Sequence, residues 1–188
     1  VSTSGRQETY IIPKQPHGSH TLEVYFTIKI NDTEVPSNHL YYDLMNLYGE
    51  NGNVRYLVKQ LEEQGIDTEV HFLSMEDKID FKKYDFYYIG MGSEDNKMIV
   101  LDNIMKYKDD IIEAVNDNKY FLVTGNALEL FGRQIRYIDK EPLQMTELFD
   151  FVCNDDDMRI VGEQIYKFKD LEDPIVGFEN RLCTMSEY

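Results

Sequence analysis

Two short runs of aromatic and aliphatic residues, each followed at once by a glycine-containing loop, constrain the fold of this chain most. Residues 85–89 (DFYYI) lead into a Gly-Met-Gly-Ser loop, and residues 120–123 (YFLV) lead into a Thr-Gly-Asn turn. A run that is apolar on both faces is typical of a central parallel strand. Residues 98–115 lie between the two runs, carry apolar residues at helical spacing and are long enough for a crossover. The pattern predicts adjacent parallel strands in an α/β fold.

The segments before these runs continue the same rhythm. Residues 54–61 place apolar side chains at i, i+3, i+4 and i+7, which predicts a helix. Asn53 is a suitable N-cap for it and Gly65 a suitable C-cap. Residues 68–73 alternate and predict a strand.

After Gly132 the period changes. The residues there form short strand-like pieces that Asp, Asn, Gly and Pro separate, at 136–138, 148–153, 160–168 and 175–178. They predict a short β extension and not another βαβ unit. The acidic run at 155–157 lacks the alternating ligands of a calcium loop, so we interpret it as a solvated hairpin tip.

The N-terminal part has a different composition. Residues 1–20 are polar, with two prolines, and are predicted to be irregular, whereas residues 22–30 alternate like a strand. We therefore expect an irregular segment at 1–20 and one domain over 21–188, which is an ordinary domain size.

The charge of the chain limits its partners. Lys and Arg number 19 against 35 Asp and Glu, a net charge of -16, which disfavours binding to nucleic acid. The apolar stretches are far shorter than the ~20 residues that cross a bilayer, and no signal peptide is evident. Two cysteines do not make a disulfide framework. We expect a cytoplasmic protein without membrane insertion, metal or cofactor.

Four sequence landmarks resemble the cobyric-acid-synthase type of class I glutamine amidotransferase domains. The first, residues 39–53 (HLYYDLMNLYGENGN), includes Asp43, Asn46, Gly52 and Asn53. The other three are residues 89–93 (IGMGS), 123–132 (VTGNALELFG) and 176–180 (VGFEN). Within that group the chain is most similar to GatD, the glutaminase subunit of lipid II isoglutaminyl synthase. The resemblance covers about residues 39–181.

The resemblance implies a three-layer α/β fold with flavodoxin-like layering and a specific chemistry. Such a glutaminase carries a Cys nucleophile on a sharp strand-to-helix turn, with a distant His as proton carrier. Backbone amides of the preceding glycine loop stabilise the oxyanion. In this chain, that loop comprises Gly90, Met91, Gly92 and Ser93. The elbow comprises Thr124, Gly125 and Asn126.

The chain departs from the family at the nucleophile and at the base. Aligning residues 129–132 with the family's Gln-x-x-Gly places Gly125 where the Cys should be, and we expect this glycine to have a positive or otherwise strained φ. Thr124 should point to the opposite face of the strand end. No histidine follows His71, although the family His lies beyond the landmark at 176–180. We therefore expect no catalytic residues.

Two cysteines remain as candidate nonstandard nucleophiles. Cys153 or Cys183 could pair in space with His39 or His71. We favour a buried, inert Cys153 and an exposed, free Cys183 near the end, with both histidines structural. The glycine loop at 90–93 either binds a small ligand or simply turns the chain.

Three functions remain open at this stage. The first is a GatD-like subunit without glutaminase activity, which binds or regulates a Mur-ligase-like (MurT-type) partner in peptidoglycan precursor amidation. The second is an active subunit that supplies ammonia to such a ligase. The third is a module that binds glutamine or a related small molecule. Residues 4–13 also resemble a short stretch near the C-terminus of MurT.

Overall fold

A computed structural model describes residues 36–66, 68–167 and 173–187. The predictions for residues 1–20 and 22–30, and the MurT-like stretch, lie outside these ranges. The single-domain boundary at residue 21 stays a prediction. Within the described ranges, no helix has the length and apolar character needed to cross a bilayer.

The first sheet is parallel throughout. Its strands are β1 (Ser37–Leu40), β2 (Val70–Leu73), β3 (Phe86–Ile89) and β4 (Tyr120–Val123), in the order β2-β1-β3-β4. This order is the beginning of the flavodoxin-like order 2-1-3-4-5, whose switch point lies between β1 and β3. β3 and β4 pair in parallel, which confirms the predicted adjacent strands. The carboxyl ends of β1, β3 and β4 lie level at one edge.

Helices cover both faces of this sheet. They are α1 (Asn51–Glu63), α2 (Glu94–Ile104) and α3 (Lys108–Asn116), with a 3-10 turn (Met105–Tyr107) between the last two. α1 lies on the face of Tyr88, because Asn53 Nδ2 donates to the Tyr88 hydroxyl at 2.8 Å. On the opposite face, the Tyr87 ring stacks on Phe81, which contacts Tyr107. The predicted three-layer α/β arrangement is confirmed.

A second sheet follows the 3-10 helix Gly125–Phe131. Its strands are β5 (Gln134–Arg136), β6 (Leu143–Gln144), β7 (Phe151–Tyr166) and β8 (Ile175–Glu187), in the order β6-β5-β7-β8. β5 and β7 are parallel and the other pairs are antiparallel. The predicted β extension is therefore present, but it is larger than expected.

Several predicted element bounds are wrong. The acidic run at 155–157 is not a hairpin tip. It lies inside β7, at a shift in the pairing register with β8 between Asp155 and Ile160. The two strands pair on both sides of this shift, so β7 continues through it. α1 begins at Asn51, whose N–H donates to Asn46 Oδ1 at 3.1 Å, so Asn53 is not its cap. The helix predicted over 98–115 is interrupted by the 3-10 turn. β1 was not predicted at all.

Candidate functional site

The loops predicted to form the site meet at the carboxyl edge of the parallel sheet. The glycine loop at 90–93 follows β3 directly, and the elbow at 124–126 follows β4. Because β3 and β4 are neighbours in register, the two loops leave the sheet side by side. This edge, beside the switch point, is where open α/β sheets bind ligands.

Gly125 has the backbone geometry expected of the elbow. Its φ is +59°, in the left-handed region, and it is the first residue of the 3-10 helix, two residues after the end of β4. The prediction of a positive φ is confirmed. The chain continues into a 3-10 helix of seven residues, Gly125–Phe131, and Gly132 is its C-cap.

The side chain of Met91 occupies the space beside Gly125. A Cβ built on Gly125 would lie 2.9 Å from each of the Met91 Cβ, Cγ and Sδ atoms. Real Cβ atoms do not approach other atoms so closely, so any residue larger than glycine would force Met91 aside. The position aligned with the family nucleophile therefore has neither a reactive group nor room for one.

The glycine loop packs tightly on the β1–α1 connection. A Cβ on Gly90 would meet the Met45 carbonyl oxygen at 2.5 Å and the Glu50 Cβ at 2.6 Å, and one on Gly92 would meet Met45 Sδ at 2.5 Å. The Leu47 N–H donates to the Met91 carbonyl at 2.9 Å. These glycines are required for the close packing of the loop on the β1–α1 connection.

Asn126 joins the elbow to the glycine loop. Its Oδ1 accepts from the Gly92 N–H at 3.1 Å, and its Nδ2 donates to the Gly92 carbonyl at 2.8 Å and to Glu94 Oε1 at 3.1 Å. Ser93 caps α2 by accepting the Asn96 N–H. The Gly92 amide is thus engaged by a side chain of the same protein and is not open to an oxyanion.

Glu50 forms the centre of a hydrogen-bond network beneath the elbow. Its Oε2 accepts from the Tyr88 hydroxyl at 2.6 Å, from the Thr124 hydroxyl at 3.1 Å and from Asn53 Nδ2 at 3.1 Å. Glu50 is almost fully buried. Burial, together with the bond to Glu50, raises the pKa of Tyr88 to about 12, so its phenol stays neutral. The Thr124 hydroxyl points into this network, as the prediction of an opposite-facing side chain requires.

An ion cluster centred on the buried Lys97 connects the start of α2 with the 3-10 helix that follows β4. The Lys97 ammonium is buried and contacts the carboxylates of Glu94, at 2.6 Å, and Glu129. Burial disfavours the charge on Lys97, but Glu129 and Glu94 outweigh burial and raise its pKa. Glu129 is the residue aligned with the family Gln, so in this chain that position is part of an ion pair.

His39 is a buried, neutral side chain of β1. It is fully buried against the rings of Tyr42, Phe72 and Tyr88, and no described residue hydrogen-bonds either ring nitrogen. Burial lowers its pKa to about 4, although the nearby Glu50 charge opposes the shift. His71 in β2 instead lies 2.9 Å from Glu69 Oε1 through its Nε2. Both fit the predicted structural role.

The two cysteines belong to the second sheet and not to the elbow. Cys153 lies in β7 and Cys183 in β8, diagonally across the pair, and both are free and buried. The prediction of an exposed Cys183 is therefore wrong, because β8 extends to Glu187 and packs this side chain against β7. The contact with Cys183 and burial raise the pKa of Cys153, which keeps it a thiol and not a nucleophilic thiolate.

The residues of the first landmark have structural partners. Asp43 Oδ2 accepts from the Ser74 hydroxyl at 2.7 Å, and Asn46 holds the start of α1. Gly52 lies in the first turn of α1, where a Cβ would meet open space. A separate surface cleft of about 240 Å³ lies between residues 78–82 and α3, away from the sheet edge.

Sequence reasoning missed two participants of the site. Glu50 lies inside the first landmark but has no predicted role, and Tyr88 is predicted only as part of the strand at 85–89. Their only sequence signal is position: Glu50 follows Gly49 at the helix start, and Tyr88 lies one residue before the end of β3.

Comparisons with known proteins agree with the resemblance in the sequence. No protein-family model matches the chain. It is 26% identical over 164 residues to the GatD subunit of the glutamine-hydrolysing lipid II isoglutaminyl synthase of Streptococcus pneumoniae R6, covering 84% of this chain and 62% of that protein. It is 26% identical over 147 residues to the corresponding Staphylococcus aureus N315 subunit, covering 78% and 60%. The chain thus contains a GatD-like domain and spans about three fifths of these relatives.

A solved structure is also similar. The crystal structure of a peptidase E protein from Listeria monocytogenes EGD-e superposes with a TM-score of 0.43 at 15% identity. The superposition covers 64% of this chain and 66% of that one.

Proposed function

We propose that this chain is a GatD-like subunit that takes part in lipid II amidation without glutaminase activity of its own. In this role it binds or regulates a Mur-ligase-like, MurT-type partner. The similarity to GatD subunits supports the assignment to this system. The observation that carries the loss of activity is Gly125 at the elbow, with Met91 filling the adjacent space.

Three features of the site argue against glutamine hydrolysis. A covalent route needs a nucleophile, and Gly125 has none. The Gly92 N–H, which lies in the loop expected to bind an oxyanion, already donates to Asn126. His39 is fully buried, no described residue hydrogen-bonds its ring nitrogens, and its pKa of about 4 makes it a weak proton acceptor, so it offers no general base at the elbow.

The alternative of an active subunit requires Cys153 or Cys183. Both are buried in the second sheet, and the pKa of Cys153 is raised. A reactive cysteine needs an electropositive, partly exposed environment that lowers its pKa. The small-ligand alternative is weakened by the tight packing of the glycine loop on Met45 and Glu50.

The proposal is tested by mixing the purified chain with a MurT-type ligase from the same organism. We expect a complex on size-exclusion chromatography and an amidation rate with free ammonia that changes when the chain is added. Glutamine should not replace ammonia. The Cys153→Ala/Cys183→Ala variant is the matched control and should behave like the parent chain. Absence of a complex, or glutamine-dependent amidation lost in this variant, would contradict the proposal.

A further inference from the structure

We propose that β8 is a self-complementary edge at which two copies of this chain associate by antiparallel pairing centred on Asn180. This inference does not depend on the proposed function. It rests on the position of β8, on its exposed apolar side chains and on the order of its residues.

β8 is the edge strand of the second sheet. The strand order is β6-β5-β7-β8, and within the described ranges no strand pairs with the outer side of β8. At 13 residues it is about twice the typical strand length. Edge strands in natural proteins are usually short or protected by Lys or Pro, and β8 contains neither residue. Such an edge is a template for strand addition.

Several of the solvent-exposed side chains of this edge are apolar. Phe178 is 68% exposed and Leu182 is 53% exposed. Val161 and Ile165 of β7 lie on the same face of the sheet as Phe178 and Leu182, because they pair with Asn180 and Val176 of β8. Val161 and Ile165 are exposed as well. Four exposed apolar side chains on one face of a two-stranded ribbon form a surface of the kind that marks an interaction site.

The order of residues around Asn180 favours a second copy over other occupants. In an antiparallel pair centred on Asn180, Phe178 of one copy lies opposite Leu182 of the other. Glu179 lies opposite Arg181, and each pairing occurs twice because the arrangement is two-fold symmetric. Apolar pairs then share one face and opposite charges the other, the combinations that stabilise neighbouring strands.

The same residues disfavour neighbouring registers. Centring the pair on Glu179 places two carboxylates opposite each other, and centring it on Arg181 places two guanidinium groups opposite each other. Like charges directly opposite are destabilising, so these two registers are less favourable than the register at Asn180. Arg181 already contacts Glu179 within its own strand, but its five N–H donors allow a second carboxylate to be bound.

The net charge of the chain limits which surfaces of two copies can associate. The chain has a net charge of -16, so most of its surface repels a second copy. β8 carries only Glu179, Arg181 and Glu187 as charged residues, and the proposed pairing matches the first two. The proposed pairing therefore places no like charges opposite each other within β8.

The first test measures the mass of the 188-residue chain by sedimentation velocity from about 1 to 100 µM. We expect a monomer–dimer equilibrium. Arg181→Glu places Glu opposite Glu and should raise the dissociation constant at least tenfold. The swapped variant Glu179→Arg/Arg181→Glu restores opposite charges and should restore the dimer. Far-UV circular dichroism checks that each variant folds.

The second test locates the two-fold axis. Asn180→Cys places one thiol of each copy next to the other, so mild oxidation should give a covalent dimer on a non-reducing gel. Ser186→Cys lies six residues from the axis and is the control that should not cross-link. A chain that stays monomeric at 100 µM would leave this edge to a different occupant and overturn the proposal. A swapped variant that stays monomeric, or equal cross-linking of the two cysteine variants, would also overturn it.

Discussion

Replacing Gly125 by alanine tests whether Met91 fills the position aligned with the family nucleophile. Two effects should add. A non-glycine residue in the left-handed region costs about 1–2 kcal/mol. Overpacking against the Met91 atoms, each 2.9 Å from the new Cβ, costs about 1–3 kcal/mol. We therefore expect Gly125→Ala to lower the free energy of unfolding by about 2–5 kcal/mol, measured by urea denaturation.

The chain offers a matched control for the backbone effect. Gly65 also has a positive φ, +75°, but a Cβ there meets nothing within 4 Å. Gly65→Ala should thus show the backbone strain alone. The difference between the two variants measures the overpacking at Gly125.

A double-mutant cycle then assigns the overpacking to Met91. The partner substitution is Met91→Gly, because the Met91 Cβ is itself one of the three close atoms. The double variant should be about 1–3 kcal/mol more stable than the sum of the single changes predicts. If Gly125→Ala costs no more than Gly65→Ala, or if the coupling with Met91 is near zero, the space beside Gly125 is open and the reasoning fails.

Three further predictions concern the buried groups. Folding lowers the pKa of His39 from 6.5 to about 4. As the pH falls, the unfolded state is therefore protonated at a higher pH than the folded state. Stability should be unaffected above about pH 7 and fall by about 3 kcal/mol between pH 6.5 and 4. The His39→Phe variant should not lose this stability between pH 6.5 and 4. If urea denaturation gives the parent chain and the variant the same dependence of unfolding free energy on pH, the prediction is wrong. Lys97→Met leaves Glu129 buried without its partner and should cost about 3–5 kcal/mol. The double variant Lys97→Met/Glu129→Gln should regain part of the lost unfolding free energy, because the unpaired carboxylate is removed. A double variant no more stable than Lys97→Met would contradict a stabilising ion pair. Thiol titration should find Cys153 and Cys183 unreactive in the native chain and reactive in denaturant, because both are buried; rapid native labelling would count against their inert role.

The parallel core was predictable because its strands are marked by composition. Residues 85–89 and 120–123 are largely apolar, a pattern that is typical of buried parallel strands. β4 is nevertheless at the edge of the sheet, and its Tyr120 is exposed. β1 lies between β2 and β3, yet its sequence is Ser-Asn-His-Leu, with no apolar alternation. Its burial is a result of its neighbours, so no local pattern could have revealed it.

The candidate site was only partly predictable. The positive φ of Gly125 followed from the alignment with a strained elbow. The contact between Met91 and Gly125 joins residues 34 positions apart, and the Glu50 network joins three separate elements. Such contacts depend on the sheet order and on side-chain packing, which sequence spacing does not specify.

The second sheet shows how pairing overrides local signals. Asp155 and its acidic neighbours predicted a turn, but pairing with β8 on both sides of the register shift keeps them in β7. The same pairing buries Cys183 near the end of the described chain. Long-range pairing outweighed the turn preference of the acidic residues, and it also buried a cysteine whose position near residue 188 had suggested exposure.

Glutamine hydrolysis by the purified chain tests the central claim most directly. The assay follows glutamate and ammonia release at high protein concentration, with and without a MurT-type ligase. Without a nucleophile there is no covalent route, and loss of general acid–base help alone removes about 10² to 10⁴ in rate. We predict no turnover above the background of the Cys153→Ala/Cys183→Ala variant, with Gly125→Cys also nearly inactive. Sustained glutamine hydrolysis that this double cysteine variant abolishes would contradict the account.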